Sequence, residues 1–440
     1  MARRESDYSR PTVRRRGMRT GYTTGACAAA AAKAATLALL MGEPQREVTI
    51  RLPIGKDATF QIERCEIKSD DVIFRNIVNG TDTTTSTALC SVIKDGGDDP
   101  DVTSGAEICA RVWTDDTVSR VDSTSGESGV GFNRSVNGAS GADEVSVTLR
   151  GGEGVGTVTK PGTGIDVGDA SITRVPRRMI TQSVQNAAKS MGGAGSFIVE
   201  ISVPGGHEIA KKTDNPRLGI VDGISILGTT GVVQPFSTAA WRASVNVAIN
   251  VAAANNLAHM VITTGTQSEL FAKRWLALED MAYVNVGIFT GSALERCVRN
   301  GIPRATLVGM VGKFSKIAMG YFVTHVAGNK VDPAFLASLA AECGASDDVQ
   351  ALMRDAASGR HFQEIALEHG AMQVFDLMCE RVCDEARRYL NGKMHARDAD
   401  LRERANDLII DAICFDFEGD ILGKASTSAA GIPLTAASDG

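Results

Sequence analysis

Apolar positions along the chain follow two different rhythms. From Ala26 to Leu40 they run almost unbroken, alanine after alanine, behind Thr23 and Thr24, either of which can cap a helix start. Met41-Gly42-Glu43-Pro44 supplies the stop, so a helix is predicted over 26–40. Alternation takes over at 47–52 and 58–67, with a third strand expected at 71–78. Further strands are expected at 106–113, 145–149 and 196–203, with a helix at 177–189. Between 114 and 144 Ser, Gly, Thr and Asp dominate and large apolar residues nearly vanish, the pattern of a surface insertion without a core of its own.

Past residue 218 the rhythm changes. Short apolar runs at 220–227, 260–263, 283–289 and 305–308 each leave through a Gly or Thr turn into a helical stretch. Strands alternating with helices in this way predict a parallel sheet. Helices dominate 333–388, and a helix, a strand and a hairpin close the domain. The expected fold is an α+β N-terminal domain (18–217) followed by an α/β domain (218–425) with a mainly parallel sheet and Gly-rich βα loops. Residues 1–17, rich in arginine, and 426–440 read as disordered tails.

In open α/β sheets, ligands bind at the carboxyl ends of the strands, where loops meet helix starts. Four glycine-bearing loops fall on that expected edge: 228–231, 263–269, 289–292 and 309–313. Their candidate contacts to a nucleotide-like cofactor are Gly228, Thr229, Thr230, Gly231, Thr264, Gly265, Glu269, Gly309 and Gly312. Backbone N–H groups there suit hydroxyls or a carboxylate, and Glu269 could accept from ribose hydroxyls. Neither the P-loop spacing nor G-x-G-x-x-G occurs in them.

Composition narrows the chemistry. At 440 residues the chain exceeds what one core usually organises. Aromatic residues make up 5% and the net charge is −6, which argues against a stacking surface for nucleic acid. A local basic group nevertheless gathers in sequence: Lys160, Arg174, Arg177, Arg178, Lys211, Lys212 and Arg217. It suits a small polyanionic substrate, with Arg177, Arg178 and Arg217 the best two-point partners for carboxylates. Nine scattered cysteines without a C-x-x-C pair fit a reducing, cytoplasmic compartment, and Cys379 and Cys383 read as helix-packing residues. Six dispersed histidines (207, 259, 325, 361, 369 and 395) have no metal-ligand spacing, and no G-x-S-x-G or H-E-x-x-H motif occurs. The acidic DGGDDPD (95–101) does not match an EF-hand loop and reads as Asx-turns. The arginine-rich start before the alanine run imitates a signal peptide, but Gly21–Gly25 and Lys33 interrupt it. No membrane or nucleic-acid partner is expected, and self-association as a homodimer is left open.

Read in order, RTGYTTGACAAAAAKAA (19–35), DGGDDPDVTSGA (95–106), GGEGVGTVTKPG (151–162), VPRRMI (175–180), VPGGHEIAKKTDNPRLGIVDGISILGTTGVVQP (203–235) and VITTGTQSE (261–269) resemble the cobalt-precorrin-5B C(1)-methyltransferases of the anaerobic cobalamin pathway. VGMVGKFSKIAMG (308–320) resembles them more loosely, and 163–174 and His207 depart from the family pattern. The resemblance implies S-adenosylmethionine as methyl donor and a cobalt-containing, carboxylate-rich tetrapyrrole as acceptor. The product would be cobalt-precorrin-6A, methylated at ring carbon 1. No protein-bound metal is expected, because the cobalt belongs to the substrate. The resemblance also puts Thr23 and Thr24 on the acceptor side, beside the basic group.

Methyl transfer from a sulfonium needs alignment more than covalent help, so no indispensable nucleophile is expected, and Cys27 reads as a packing residue. Glu153, His207 and Asp214 are candidates for managing a proton on the acceptor. Two other readings use the same elements. A nicotinamide-dependent oxidoreductase lacks its glycine fingerprint, and a non-catalytic corrinoid-binding module would not need the nucleotide edge.

Overall fold

The computed structural model describes residues 17–75, 82–114, 145–324, 331–394 and 398–435. The arginine-rich tail before Gly17, the body of the 114–144 insertion, His325, His395 and residues 436–440 lie outside the described residues. The chain divides into two compact units, Met1–Ser237 and Thr238–Gly440.

The first unit begins with β1 (Gly21–Tyr22), α1 (Thr24–Met41) and the hairpin β2 (Glu47–Arg51) and β3 (Asp57–Gln61). Next come β4 (Arg64–Arg75), β5 (Asp82–Ile93), β6 (Glu107–Thr114), β7 (Val145–Gly151), β8 (Gly154–Val155) and β9 (Thr157–Val158). They are followed by α2 (Arg174–Ser190), β10 (Gly195–Ser202), α3 (Gly206–Ala210) and three two-residue strands, β11 (Ile220–Val221), β12 (Gly223–Ile224) and β13 (Val232–Val233). The main sheet runs β4-β5-β6-β10-β7, antiparallel except for the β10–β7 pair.

The alanine run explains the centre of this unit. Alanine has the highest helix propensity and no side-chain entropy to lose. Its small size lets α1 lie close to α2, β5 and β6 at once. Ala26–Ala32, Ala34, Ala35 and Ala38 are all buried in one core with Ala88, Cys90 and Val92 of β5 and Ile108, Ala110 and Val112 of β6. By length and composition α1 could cross a membrane, but 72% of its apolar window is buried within the protein. Thr23 caps its start, accepting from Ala26 N–H at 3.2 Å, and Gly42 closes it in the left-handed conformation.

Two strand expectations change here. The expected 58–67 strand breaks at Ile62-Glu63, where the backbone leaves the hairpin and Glu63 N–H bonds Ser91 O instead. The alternation predicts no strand at 82–93, yet β5 lies inside the sheet, between β4 and β6. Its polar threonines hid it, although β-branched side chains suit a pleated surface whatever their polarity.

The second unit comprises α4 (Thr238–Ala254), β14 (His259–Thr263), α5 (Thr266–Trp275), β15 (Tyr283–Asn285), α6 (Thr290–Arg299), β16 (Arg304–Met310) and α7 (Val311–Ala318). It continues with α8 (Pro333–Glu342), α9 (Asp347–Arg354), α10 (Gly359–Glu368), α11 (Gln373–Lys393), α12 (Ala399–Asp407), β17 (Ile409–Phe415) and β18 (Ile421–Ser426). Its sheet runs β15-β14-β16-β17-β18, with all neighbours parallel except β18. The apolar run Met260–Ile262 is buried, as are Ala305, Leu307 and Val308, as strands covered on both faces require.

The membership of this sheet corrects the expectation. Residues 220–227 are not one of its parallel strands, and the fourth is β17. The 220–227 run is broken by Asp222, at φ 62°, and by Gly223, and it pairs within the first unit, β11 on β9 and β12 on β8. The 220–227 run accordingly lies in the compact unit that ends at Ser237. The expected loose tail also starts later. Ile432 and Leu434 pack on the core, Gly431 O accepts from Arg304, and Thr435 N–H bonds Trp275 O at 3.0 Å.

A buried polar network spans four strands, β14, β16, β17 and β18. Asp411, with no exposed surface, accepts from Arg304 Nε at 2.8 Å, Thr306 Oγ1 at 2.8 Å and Ser426 Oγ at 2.6 Å. His259 Nε2 lies 2.7 Å from Thr306 Oγ1. The threonine has one proton and gives it to Asp411, so the imidazole donates at Nε2.

Candidate functional site

In the second unit β14 is flanked by β15 on one side and β16 on the other, and the chain visits them in that order. The sheet therefore changes direction between β14 and β16, and the carboxyl ends of these strands frame a crevice. A cleft of about 420 Å³ opens there. Thr264, Gly265 and Ser268 line it after β14, and Met310, Gly312, Lys313 and Lys316 line it after β16. Ser358, Gly359 and Arg360 from the start of α10 close another side, with Phe417 after β17.

The loops that form the cleft are built tightly. Thr264 is buried and its N–H bonds Val308 O at 3.0 Å, tying the β14 exit to β16. A Cβ on Gly309 would come within 2.7 Å of the Phe314 ring and of Thr264 Oγ1, so only glycine fits. Gly312 is different: nothing lies within 4 Å of where its Cβ would stand. Gly265 O accepts from Ser268 Oγ at 2.8 Å and from Glu269 N–H at 3.1 Å. Glu269 is buried and lies 3.5 Å from Lys273 Nζ, which leaves its expected role as a ribose acceptor a proposal.

Among the described residues, three cationic side chains and no carboxylate line this cleft. Lys313 donates to Thr264 O and, at 3.4 Å, to Gly287 O, bracing the ends of two strands. Burial holds its ammonium below the usual lysine range, and the charge of Lys316 adds to the effect. Burial lowers Lys316 as well. Arg360 pairs with Glu364 at 3.1 Å and lies over the Phe417 ring. Lys313, Lys316, Ser358, Arg360 and Phe417 were not candidates in the sequence. The strings GMVGKFSK and SGR carry a signal for them, since lysines at i and i+3 after a strand exit share a helix face, but α10 is too far along the chain for any local pattern to connect.

The loop 228–231 belongs to the first unit, where it does structural work. Thr23 N–H bonds Gly231 O, Thr24 Oγ1 accepts from Leu227 N–H at 2.9 Å, and Gly228 lies directly against the Thr23 side chain. Thr230 folds back on Val232 in a side-chain turn, and Thr229 is exposed. Thr23 and Thr24 thus fasten the start of α1 to this loop.

The other glycine-rich strings of the first unit also mark places where backbones cross. A Cβ on Gly206 would come within 2.2 Å of Gly154 O, and one on Gly223 within 2.3 Å of Gly154 C. The acidic loop is similarly occupied. Asp95 pairs with Arg19, Asp98 accepts from Arg19 N–H, and Asp99 accepts from Phe236 N–H at 2.8 Å. Asp101 pairs at 2.6 Å with the buried Lys94. Burial alone would raise the Asp101 carboxyl, but hydrogen bonds from Lys94 and Thr103 outweigh it and hold it below its ordinary value.

The basic group is not uniform. Arg177 is committed to its own segment, donating from Nε to Ile172 O at 2.8 Å and from Nη2 to Ala170 O at 3.1 Å, beside Asp169. Arg174 and Arg178 are exposed at the start of α2, and Lys212 is exposed after α3. Lys211 pairs with Glu208, Lys160 lies over Gly219, and Arg217 is half-buried and partnered. Of the proton-managing candidates, Glu153 and Asp214 are exposed, and His207 is exposed 3.4 Å from Glu208. Cys27 is a packing residue of α1, its thiol pushed up to about 12 by burial. Among the described residues no group of His, Cys, Asp and Glu could hold a metal ion.

An open parallel sheet with a cationic cleft at its switch point, in one chain with an α+β unit, defines a two-unit α/β protein of the small-molecule-binding class. The family follows from comparison with known proteins. The CbiD family model matches residues 12–235 and the CbiD C-terminal domain model matches 323–426. The chain is 41% identical to a cobalt-precorrin-5B C(1)-methyltransferase of Geobacillus sp. (strain WCH70), over 94% of this chain and 98% of that protein. It is 42% identical to the protein of the same name from Geobacillus thermodenitrificans, over 93% and 95%. This chain belongs to the CbiD family. A solved structure of the cobalamin biosynthesis protein cbiD from Archaeoglobus fulgidus is 24% identical over 80% of this chain and 85% of that one, with a TM-score of 0.33.

Proposed function

We propose that this protein transfers a methyl group from S-adenosylmethionine to ring carbon 1 of cobalt-precorrin-5B, giving cobalt-precorrin-6A, as a soluble enzyme of the cytoplasm. The observation that carries the reading is the identity above 40%, over more than nine-tenths of the chain, to proteins named for that activity. Neither an oxidoreductase nor a non-catalytic corrinoid module is favoured by those names. The burial of α1 within the first unit supports the soluble reading.

The donor is assigned to the switch-point cleft. Its size lies in the range of small-molecule sites. Thr264, Gly265 and Gly312 would hold the donor there. When bound, S-adenosylmethionine supplies an electrophilic methyl group, and the cobalt enters with the acceptor as part of the substrate. What the protein contributes is alignment of two reactants and exclusion of water. The exposed Arg174, Arg178 and Lys212 of the first unit are assigned to the acceptor's carboxylates. Glu153, His207 and Asp214 stay candidates for taking up the proton that C-methylation releases.

Anaerobic incubation with methyl-labelled S-adenosylmethionine and cobalt-precorrin-5B tests the reading. One label per tetrapyrrole, located at ring carbon 1 by NMR, is expected. Tight binding of the tetrapyrrole with no label transferred would sink it.

A further inference from the structure

Lys316 stands apart from the other charges of the cleft. Lys313 is braced by two carbonyls, and Arg360 has Glu364 and the Phe417 ring. Lys316 is 6% exposed and lines the cleft, and its side-chain ammonium has no hydrogen bond or ion pair among the described residues. A buried stem that ends in an ammonium opening on a cleft leaves that charge incompletely hydrated, and a ligand of opposite charge would complete its partners. The surrounding backbone points to the sign of that ligand. Helices α5, α7 and α10 all begin at the cleft, and the first two have no side-chain cap. Each such start presents unpaired N–H groups and the positive end of a helix dipole. Lys313 and Lys316, three residues apart, share one face of α7.

We propose that the cleft binds a carboxylate, with Lys316 as its counter-charge and the starts of α5 and α7 as hydrogen-bond donors. This rests on the reading of the cleft as a substrate site of the methyl transfer. Two substrates of that reaction carry the group: the donor has an amino-acid carboxylate, and the acceptor has carboxylate side chains. A positive cleft attracts a carboxylate and repels a sulfonium, so it distinguishes the two ends of a donor that carries both.

Calorimetry on the full-length protein tests this with S-adenosylmethionine, with 5′-methylthioadenosine, which lacks the amino-acid carboxylate, and with an octacarboxylate porphyrin. Lys316→Met is expected to weaken S-adenosylmethionine roughly ten- to a hundredfold while changing methylthioadenosine less than about twofold, the loss of one charge-assisted hydrogen bond. Lys316→Arg should recover part of the loss. Weakening of the porphyrin alone supports the carboxylate site with the acceptor as its source. Equal affinities of wild type and Lys316→Met for all three probes, or an equal loss for methylthioadenosine, overturns it. Failure of the donor assignment is read separately: a folded Gly312→Val that binds S-adenosylmethionine as wild type does refutes the donor cleft, and the porphyrin arm still decides the carboxylate proposal.

Discussion

Residues of one chemical type take different roles here according to what their donors and acceptors meet. Arg177 and Arg178 are neighbours in VPRRMI, yet Arg177 spends its guanidinium on the carbonyls of 170 and 172 while Arg178 faces solvent. Arg177→Ala should therefore cost about 1–3 kcal/mol of stability by leaving those acceptors unpaired, read by urea unfolding. It should leave the KM for the tetrapyrrole nearly unchanged. Arg178→Ala should do the reverse, and a raised KM in the Arg177 variant with unaltered stability would contradict the division.

His259 shows the same dependence in its titration. Burial pulls its imidazole down to about 4, with the Arg304 charge adding and Asp411 partly offsetting. The unfolded chain binds this proton near pH 6.5 and the folded chain only near 4, so protons favour unfolding between those values. The stability contribution is complete above about pH 6.5 and is lost as pH falls toward 4. His259→Gln, which can still donate to Thr306, should flatten that part of the stability–pH curve, and an unchanged curve would remove His259 from the account.

Whole elements are legible to the extent that their partners are local. α1 can be read from the sequence because alanine propensity, a threonine cap and a Gly-Glu-Pro stop act within a few residues. The exits of β14 and β16 are legible for the same reason. What the glycines in those exits do is not: Gly309 is required by packing and Gly312 opens on the cleft. Gly309→Val should lower Tm by several degrees through a clash with Phe314. Gly312→Val should fold normally and lose most donor affinity by calorimetry. Equal effects of the two on Tm would show that both glycines are structural.

Taken as a whole, the molecule places the described lining residues of the cleft within the unit Thr238–Gly440. A fragment of residues 238–440 should therefore unfold cooperatively and bind S-adenosylmethionine within severalfold of the full chain, while transferring no methyl. A cooperatively folded fragment that does not bind the donor would show that the first unit completes the site.

The sequence by itself determined the strings that carry the family, the central helix of the first unit and the strand–helix alternation between 259 and 310, because these depend on short-range propensity, capping and turn chemistry. Tertiary structure decided what depends on distant pairing. It put β17 rather than 220–227 into the parallel sheet, turned the 228–231 loop into a fastening for α1, tied Arg177 to the carbonyls of its own segment, and brought α10 to a cleft where the Lys316 ammonium has no partner among the described residues. Strand pairing and side-chain burial are contacts between segments tens to more than a hundred residues apart, and no local pattern encodes which segment will arrive.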